Sequence, residues 1–426
     1  MRAVFAVALL LVAGAVQAGD SDTAGDADAA ALSLQGSAPQ AAAQPRAWQL
    51  FVEGGTGYSE VRDDSLTNQT SSLQRLSGDL RIDATPLSGL RTVFSDRLDY
   101  ADWPFELEPK REINTIKEAY FSLQPSNNFI FDAGRINEYS GVAIGYNPTD
   151  FFRGGAVRSF VSLDPISIKD NRQGSVMVRG QTLWNGGSLT ALFSPKLSSQ
   201  PNSGSFNPDW GATNNVNRGM LIFSKRITED LNPQFLLYQE EGSSPQIGMN
   251  ITKLVNNSTV AYVEWSGGRS DTLLTDALGQ GSDKAFRNRL STGLTYTTSN
   301  KLSLTFEYEY NGTGIDKGSW DALPAVSLPG YIRYQQYVTT EQEMPTRHAF
   351  MFYAKWQDVL INHLDLSALV RYSVADHSNL SWIESRYHWA HDEVALQWLN
   401  NSGTLFSEFG ASPLRSALEL SYRHYF

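Results

Sequence analysis

The chain has no cysteine among its 426 residues. That excludes disulfides, thiolate metal sites and lipid attachment through an N-terminal cysteine. Long hydrophobic runs are equally scarce. Beyond the N-terminus no window approaches the ~18 consecutive apolar residues of a membrane-spanning helix, so a helical membrane protein is excluded. Cations are outnumbered, with 34 Lys and Arg against 45 Asp and Glu. Phosphates call for a basic patch, so no nucleic-acid partner is expected. The signatures Gly-x-Ser-x-Gly, His-Glu-x-x-His and the Walker loop are all missing. Of the six His, His388 and His391 have a suggestive spacing, yet they fall at a tight turn where a helix-type pair is not expected. No catalytic residue, metal ligand or cofactor is assigned, and the chain is not expected to be an enzyme.

What is present begins with "MRAVFAVALLLVAGAVQAGD". One Arg, an apolar run from Ala3 to Val16 and the small-x-small ending Val16-Gln17-Ala18 give the layout of a secretory signal peptide over residues 1–18. Residues 19–46 contain no aromatic and are dominated by Ala, Asp, Gly, Ser and Gln. Such a stretch cannot build a core and reads as a flexible segment.

From Trp48 the pattern becomes short alternating runs. In "KLSLTFEYEYNG" Leu302, Leu304, Phe306, Tyr308 and Tyr310 share one face, and Ser303, Thr305, Glu307 and Glu309 share the other. "RNRLSTGLTYTTSN" precedes it, and the Thr298-Ser299-Asn300 turn makes the two a hairpin, expected to pair Tyr296 with Leu302 and Arg289 with Glu309. Each run is about ten residues, the length of a tilted membrane strand. Tight links at 85–89, 125–128, 185–187, 228–232, 256–257, 298–300, 358–362 and 391–392 alternate with longer loops, the longest at 137–172 and 312–345. Short turns at one end and long loops at the other describe a transmembrane antiparallel β-barrel over 47–426. It would have about 18 strands, with both termini on the short-turn, periplasmic side. No helical pattern stands out. A soluble propeller or jelly roll is the rival all-β reading. Against it stand Trp184, Trp265, Tyr310, Trp356, Trp389 and Trp398 at the ends of apolar rows, as in interfacial girdles, and the absence of a blade-length repeat.

The last strand, "SALELSYRHYF", places Leu418, Leu420, Tyr422 and Phe426 on the lipid side and Glu419 and Arg423 on the other. It must pair with the first strand, near "AWQLFVEGG", to close the sheet. With the signal peptide and the strand rhythm, this ending resembles a Gram-negative outer-membrane porin-like barrel. The resemblance implies a channel in contact with outer-membrane lipid and lipopolysaccharide, inserted by the barrel assembly machinery through the strand ending at Phe426. The usual aromatic two residues before the end is here His424. A narrower likeness lies in "FDAGRINEYSGVAIGYNPTDFFRGG", where Gly134, Arg135, Asn147, Pro148 and Asp150 are similar to alginate-export-type polysaccharide-export barrels.

If the aromatic rows face lipid, the alternate rows line a pore. The candidates are Arg75, Asp79, Arg81, Arg91, Arg97, Glu118, Asp132, Arg179, Arg287, Arg289, Glu307, Glu309, Arg347, Arg371 and Arg386. The 137–172 loop mixes apolar Val142, Ile144, Phe151, Phe152, Phe160 and Ile166 with charges, so it can pack on the inner wall and constrict the bore. Arg135, Asp150, Arg153 and Arg158 are its candidate constriction residues. Two readings of the Arg rows stay open. They could guide a charged solute, or they could pair with neighbouring carboxylates and leave the wall neutral. The expected function is passive diffusion of a small hydrophilic solute. The alternatives are export of an anionic polysaccharide, and a barrel enzyme or non-conducting surface or assembly protein.

Overall fold

The computed structural model describes residues 46–62, 68–102, 110–159, 162–279 and 281–426; the signal-peptide assignment, residues 19–45 and Phe160 lie outside them. The chain from Trp48 forms β1 (Trp48–Arg62), β2 (Asn68–Leu87), β3 (Leu90–Asp102), β4 (Glu112–Ser126), β5 (Phe129–Ile136) and β6 (Ser175–Trp184). Next come β7 (Gly187–Ser194), β8 (Arg218–Lys225), β9 (Gln234–Glu240), β10 (Gln246–Asn256), β11 (Thr259–Ser270) and β12 (Ala285–Thr297). The sheet finishes with β13 (Leu302–Asn311), β14 (His348–Trp356), β15 (Leu364–Ser373), β16 (Asn379–His388), β17 (Asp392–Ser402) and β18 (Leu414–Tyr425). Each strand pairs antiparallel with its sequence neighbours, and β1 pairs with β18, so the 18-stranded sheet closes on itself. Closure leaves no edge with unpaired backbone groups, the condition for a sheet in hydrocarbon.

The two-residue period decides which way each side chain points. On β14, Phe350 and Phe352 are exposed on the outside, whereas Ala349, Met351 and Tyr353 are buried inside. On β18, Leu418, Leu420 and Tyr422 face outward and Glu419 is fully buried, as the sequence pattern requires. His424 on the outer row pairs with Asp392 at 2.8 Å, and the Tyr422 hydroxyl donates to the same carboxylate.

The β1–β18 seam needs close backbone approach. A Cβ at Gly57 would stand 2.9 Å from the Glu419 Cα and nearer still to the Leu418 carbonyl, so only glycine fits there. Beside it Arg75 of β2 donates to Glu53 of β1 and, at 2.8 Å, to Glu419 of β18, tying three strands across the closure.

Eight connections lie at one end of the sheet and nine at the other, with β1 starting and β18 finishing at the eight-connection end; most of the eight are the shorter, although 226–233 has eight residues and 241–245 only five. Two expectations need correction. The β12–β13 register places Tyr296 opposite Leu304 and Arg289 opposite Asn311, two residues from the predicted pairing. The turn is longer because Lys301 adopts a left-handed conformation at φ 62°, which a non-glycine residue does not advertise. The long loops also hold helices: α1 (Ile168–Asn171), α2 (Trp210–Thr213), α3 (Leu273–Leu278), α4 (Lys317–Val326) and α5 (Leu328–Glu341). Their signals were in the sequence. Asp316 caps α4 by accepting from the Ser319 N–H, and Ser327 caps α5 by accepting from Gly330 N–H just after Pro329. Trp320 and Leu323 of α4 bury against Tyr331, Tyr334 and Val338 of α5 and Leu273 of α3.

Candidate functional site

The connection between β5 and β6 is the longest in contact with the inner wall. Four successive backbone N–H groups meet two wall carboxylates. Val142 and Ala143 donate to Glu264 of β11, the latter at 2.6 Å. Ile144 and Gly145 donate to Glu307 of β13 at 2.6 and 2.8 Å, and the Tyr262 hydroxyl donates there as well. A buried N–H donor left without its acceptor costs about 1–3 kcal/mol, so these four bonds tie the loop to the wall. Glu309 stands behind Gly145, where any Cβ would collide with its carboxylate, and it accepts from Arg371 at 2.8 Å.

The loop is braced from above and within. Tyr146 donates to Glu343 at 2.7 Å, Arg153 pairs with the same carboxylate, and Gly155 N–H donates to the Thr340 carbonyl of α5. Burial alone would raise the Glu343 carboxyl, but Arg153 and Arg289 hold it below the usual range. Asp150 pairs with Arg172 at 2.6 Å, closing the base of the loop. Lys169 donates to the Ala143 carbonyl, and its burial lowers the ammonium's pKa.

Apolar contacts carry the loop around the rest of the wall. Phe152 packs with Met177, Leu192, Met220, Leu236 and Tyr238 of β6 to β9, and Phe151 stacks on Tyr238 at 4.5 Å. Ile144 and Ile166 pack against Met351, Tyr353, Leu369, Trp382 and Leu399 of β14 to β17. Leu163 meets Leu73 of β2 and Ala417 of β18. Ser162, Ser167 and Ile168 share a cavity of about 10 Å³ with Arg97 and Asp99 of β3.

The predicted inner residues sort by partner. Arg75 is the seam residue described above. Arg81 pairs with Glu118 at 2.6 Å, Arg91 with Asp83 at 2.5 Å, and Arg97 with Asp99 at 2.9 Å. Asp79 takes Lys117 at 2.6 Å. Arg179 bridges Asp132 and Glu138, and Arg386 bridges Glu384 and Glu393. Arg287, Arg289 and Arg347 lie nearer the long loops, paired with Asp283, Glu343 and Asp316 respectively. Two of the four constriction candidates, Asp150 and Arg153, brace the loop. The others sit elsewhere: Arg135 ends β5, stacked on Trp210 and donating to Gln173 and the Pro208 carbonyl. Arg158 donates to the carbonyls of Asn114 and Gly204.

Sequence reasoning missed Glu53, Lys117, Arg172 and Glu343. Glu53 alternates in step with the inner face of β1 and could have been found that way; Arg172 and Glu343 sit in loops, where no period marks the inward side. Among the described residues no group of three or more His, Asp or Glu is placed to hold a metal ion.

No protein-family model matches the sequence, and no curated protein matches it. Solved structures do. OccAB1 of Acinetobacter baumannii is similar at 9% identity over 92% of this chain and 99% of that one, with a TM-score of 0.55. OccAB4 of the same organism is 8% identical over 89% and 97%, with a TM-score of 0.50. A mutant of the Rh. blastica porin is 10% identical over 89% and 99%, with a TM-score of 0.45. At such identities the likeness is one of fold, the closed antiparallel β-barrel.

Proposed function

We propose that the protein is an outer-membrane channel through which a small hydrophilic solute diffuses, with residues 137–174 forming the constriction and both termini on the periplasmic side. The observation that carries the reading is the docking of four consecutive N–H groups, from Val142 to Gly145, on Glu264 and Glu307. A loop held this way on inward-facing side chains narrows the bore. The closed barrel, with its likeness in fold to OccAB1, supports the same reading.

The inner wall favours pairing over a one-sign ladder. Arg81, Arg91, Arg179 and Arg386 each have a carboxylate within 2.7 Å. Weak ion selectivity follows, because neighbouring opposite charges cancel beyond a Debye length of about 8–10 Å. No catalytic group is needed. Reversal potentials in a salt gradient test the pairing: a value near zero is expected, and strong anion preference would restore the ladder. Deleting residues 140–171 should raise single-channel conductance several-fold; an unchanged value would remove the loop from the solute path.

A further inference from the structure

We infer that residues 162–168 are a movable gate, hung from an anchored half of the same loop, that seals the bore against β2 and β18. The inference rests on the channel reading above. It comes from an asymmetry between the two halves. The first half, 142–155, is bound to the wall and to α5 through Glu264, Glu307, Glu343 and the Thr340 carbonyl. Residues 162–168 in the second half have no such ties. Among the described residues, the hydrogen bonds of 162–168 stay within the loop: Ile166 N–H to Asp164 at 2.9 Å, and the Ser167 hydroxyl to the Asp164 carbonyl at 2.8 Å.

What holds 162–168 to the barrel is therefore apolar contact. Leu163 is buried on Leu73 and Ala417, and Ile166 leans on the inner apolar wall. Contacts of this kind are non-directional and can be made and broken without leaving a buried polar group unpaired. Leu73 is wholly covered in this arrangement, although it shares the inner row with Arg75. A solute path along that side opens only when Leu163 withdraws. Asp164 adds a bias. Its carboxyl is buried next to Glu384, with Arg386 and Asp170 the other charges facing it, and burial first and Glu384 second push it up to about 6. The docked segment thus carries a group that water would accommodate better near neutral pH.

The absence of cysteine makes the test direct. Leu73→Cys introduces a lone thiol behind the gate, and its reaction with a water-soluble maleimide reports opening. In folded protein, monitored by the heat-dependent shift on detergent gels, labelling should be slow. It should quicken at least ten-fold when Leu163→Asp or a deletion of 162–168 is added. The same variants without the cysteine should spend more time open in planar bilayers; Leu163→Ala provides a milder version should Leu163→Asp fold poorly. Equal labelling rates in all backgrounds, with channel steps intact, would overturn the gate and leave the channel reading standing. Faster labelling with no conductance in any variant would support the moving segment and overturn the channel reading.

Discussion

Replacing Glu264 tests the docking of the loop at its strongest point. Val142 and Ala143 donate to the same oxygen, Oε1, of Glu264, a residue with no solvent exposure. Removing this acceptor leaves two N–H donors unpaired, at roughly 1–3 kcal/mol each. Water entering the vacated space and the surviving Glu307 contacts bring the expected loss for Glu264→Ala to about 3 kcal/mol. That is roughly a hundred-fold change in the docked-to-released ratio, at ~1.4 kcal/mol per decade. Glu264→Gln keeps one acceptor oxygen but replaces the other with an NH2 donor, so about half the effect, near ten-fold, should remain. Hydrogen exchange by mass spectrometry over residues 141–146 reads this opening directly. Protection should fall in the order wild type, Gln, Ala, while the strands keep theirs. Unchanged protection in Glu264→Ala, or equal losses in the two variants, would refute the reasoning.

Three further outcomes follow from the same geometry. Arg75→Met leaves Glu419 buried without its cation, since only Glu53 keeps a second partner in Arg423. The barrel should lose about 3–5 kcal/mol in urea titrations, with partial recovery when Glu419→Gln is added; an unshifted midpoint would show that the seam does not depend on the pair. Gly57→Val should prevent closure of β1 on β18, so the heat-resistant compact band should vanish from detergent gels, and its persistence would contradict the packing at Leu418. Docking of residues 162–168 should weaken as pH rises. The Asp164 carboxyl is raised from 3.8 to about 6 in the docked state, so docking is strongest below 3.8 and its stability declines until pH passes about 6. The maximum loss is about 3 kcal/mol. Open probability should therefore climb between pH 4 and 7, with a shallower climb in Asp164→Asn; the opposite slope would exclude this role for Asp164.

The architecture was legible because a two-residue period survives in isolated strands. Rows such as Leu418, Leu420 and Tyr422 against Glu419 need no partner to be recognised. Turn rhythm then supplied the strand number. Pairing was not legible, since it depends on register around the whole sheet: Arg75 meets Glu419 across 344 positions of sequence. Lys301, a left-handed residue with a side chain, hid a two-residue shift in β12–β13. The docking site was half visible. Glu307 reads as an inner-row carboxylate from its strand alone, yet nothing local tells that the backbone of Ile144 and Gly145 will cover it. Helices α4 and α5 were overlooked although Asp316, Ser327 and Pro329 announced their starts.

Single-channel recording of purified, folded protein in planar bilayers bears most directly on the account. It predicts discrete conductance steps, interrupted by closures that shorten in Leu163→Asp and in the 162–168 deletion. A bilayer that stays electrically silent with wild type and both variants, each shown to be folded and inserted, would contradict the channel.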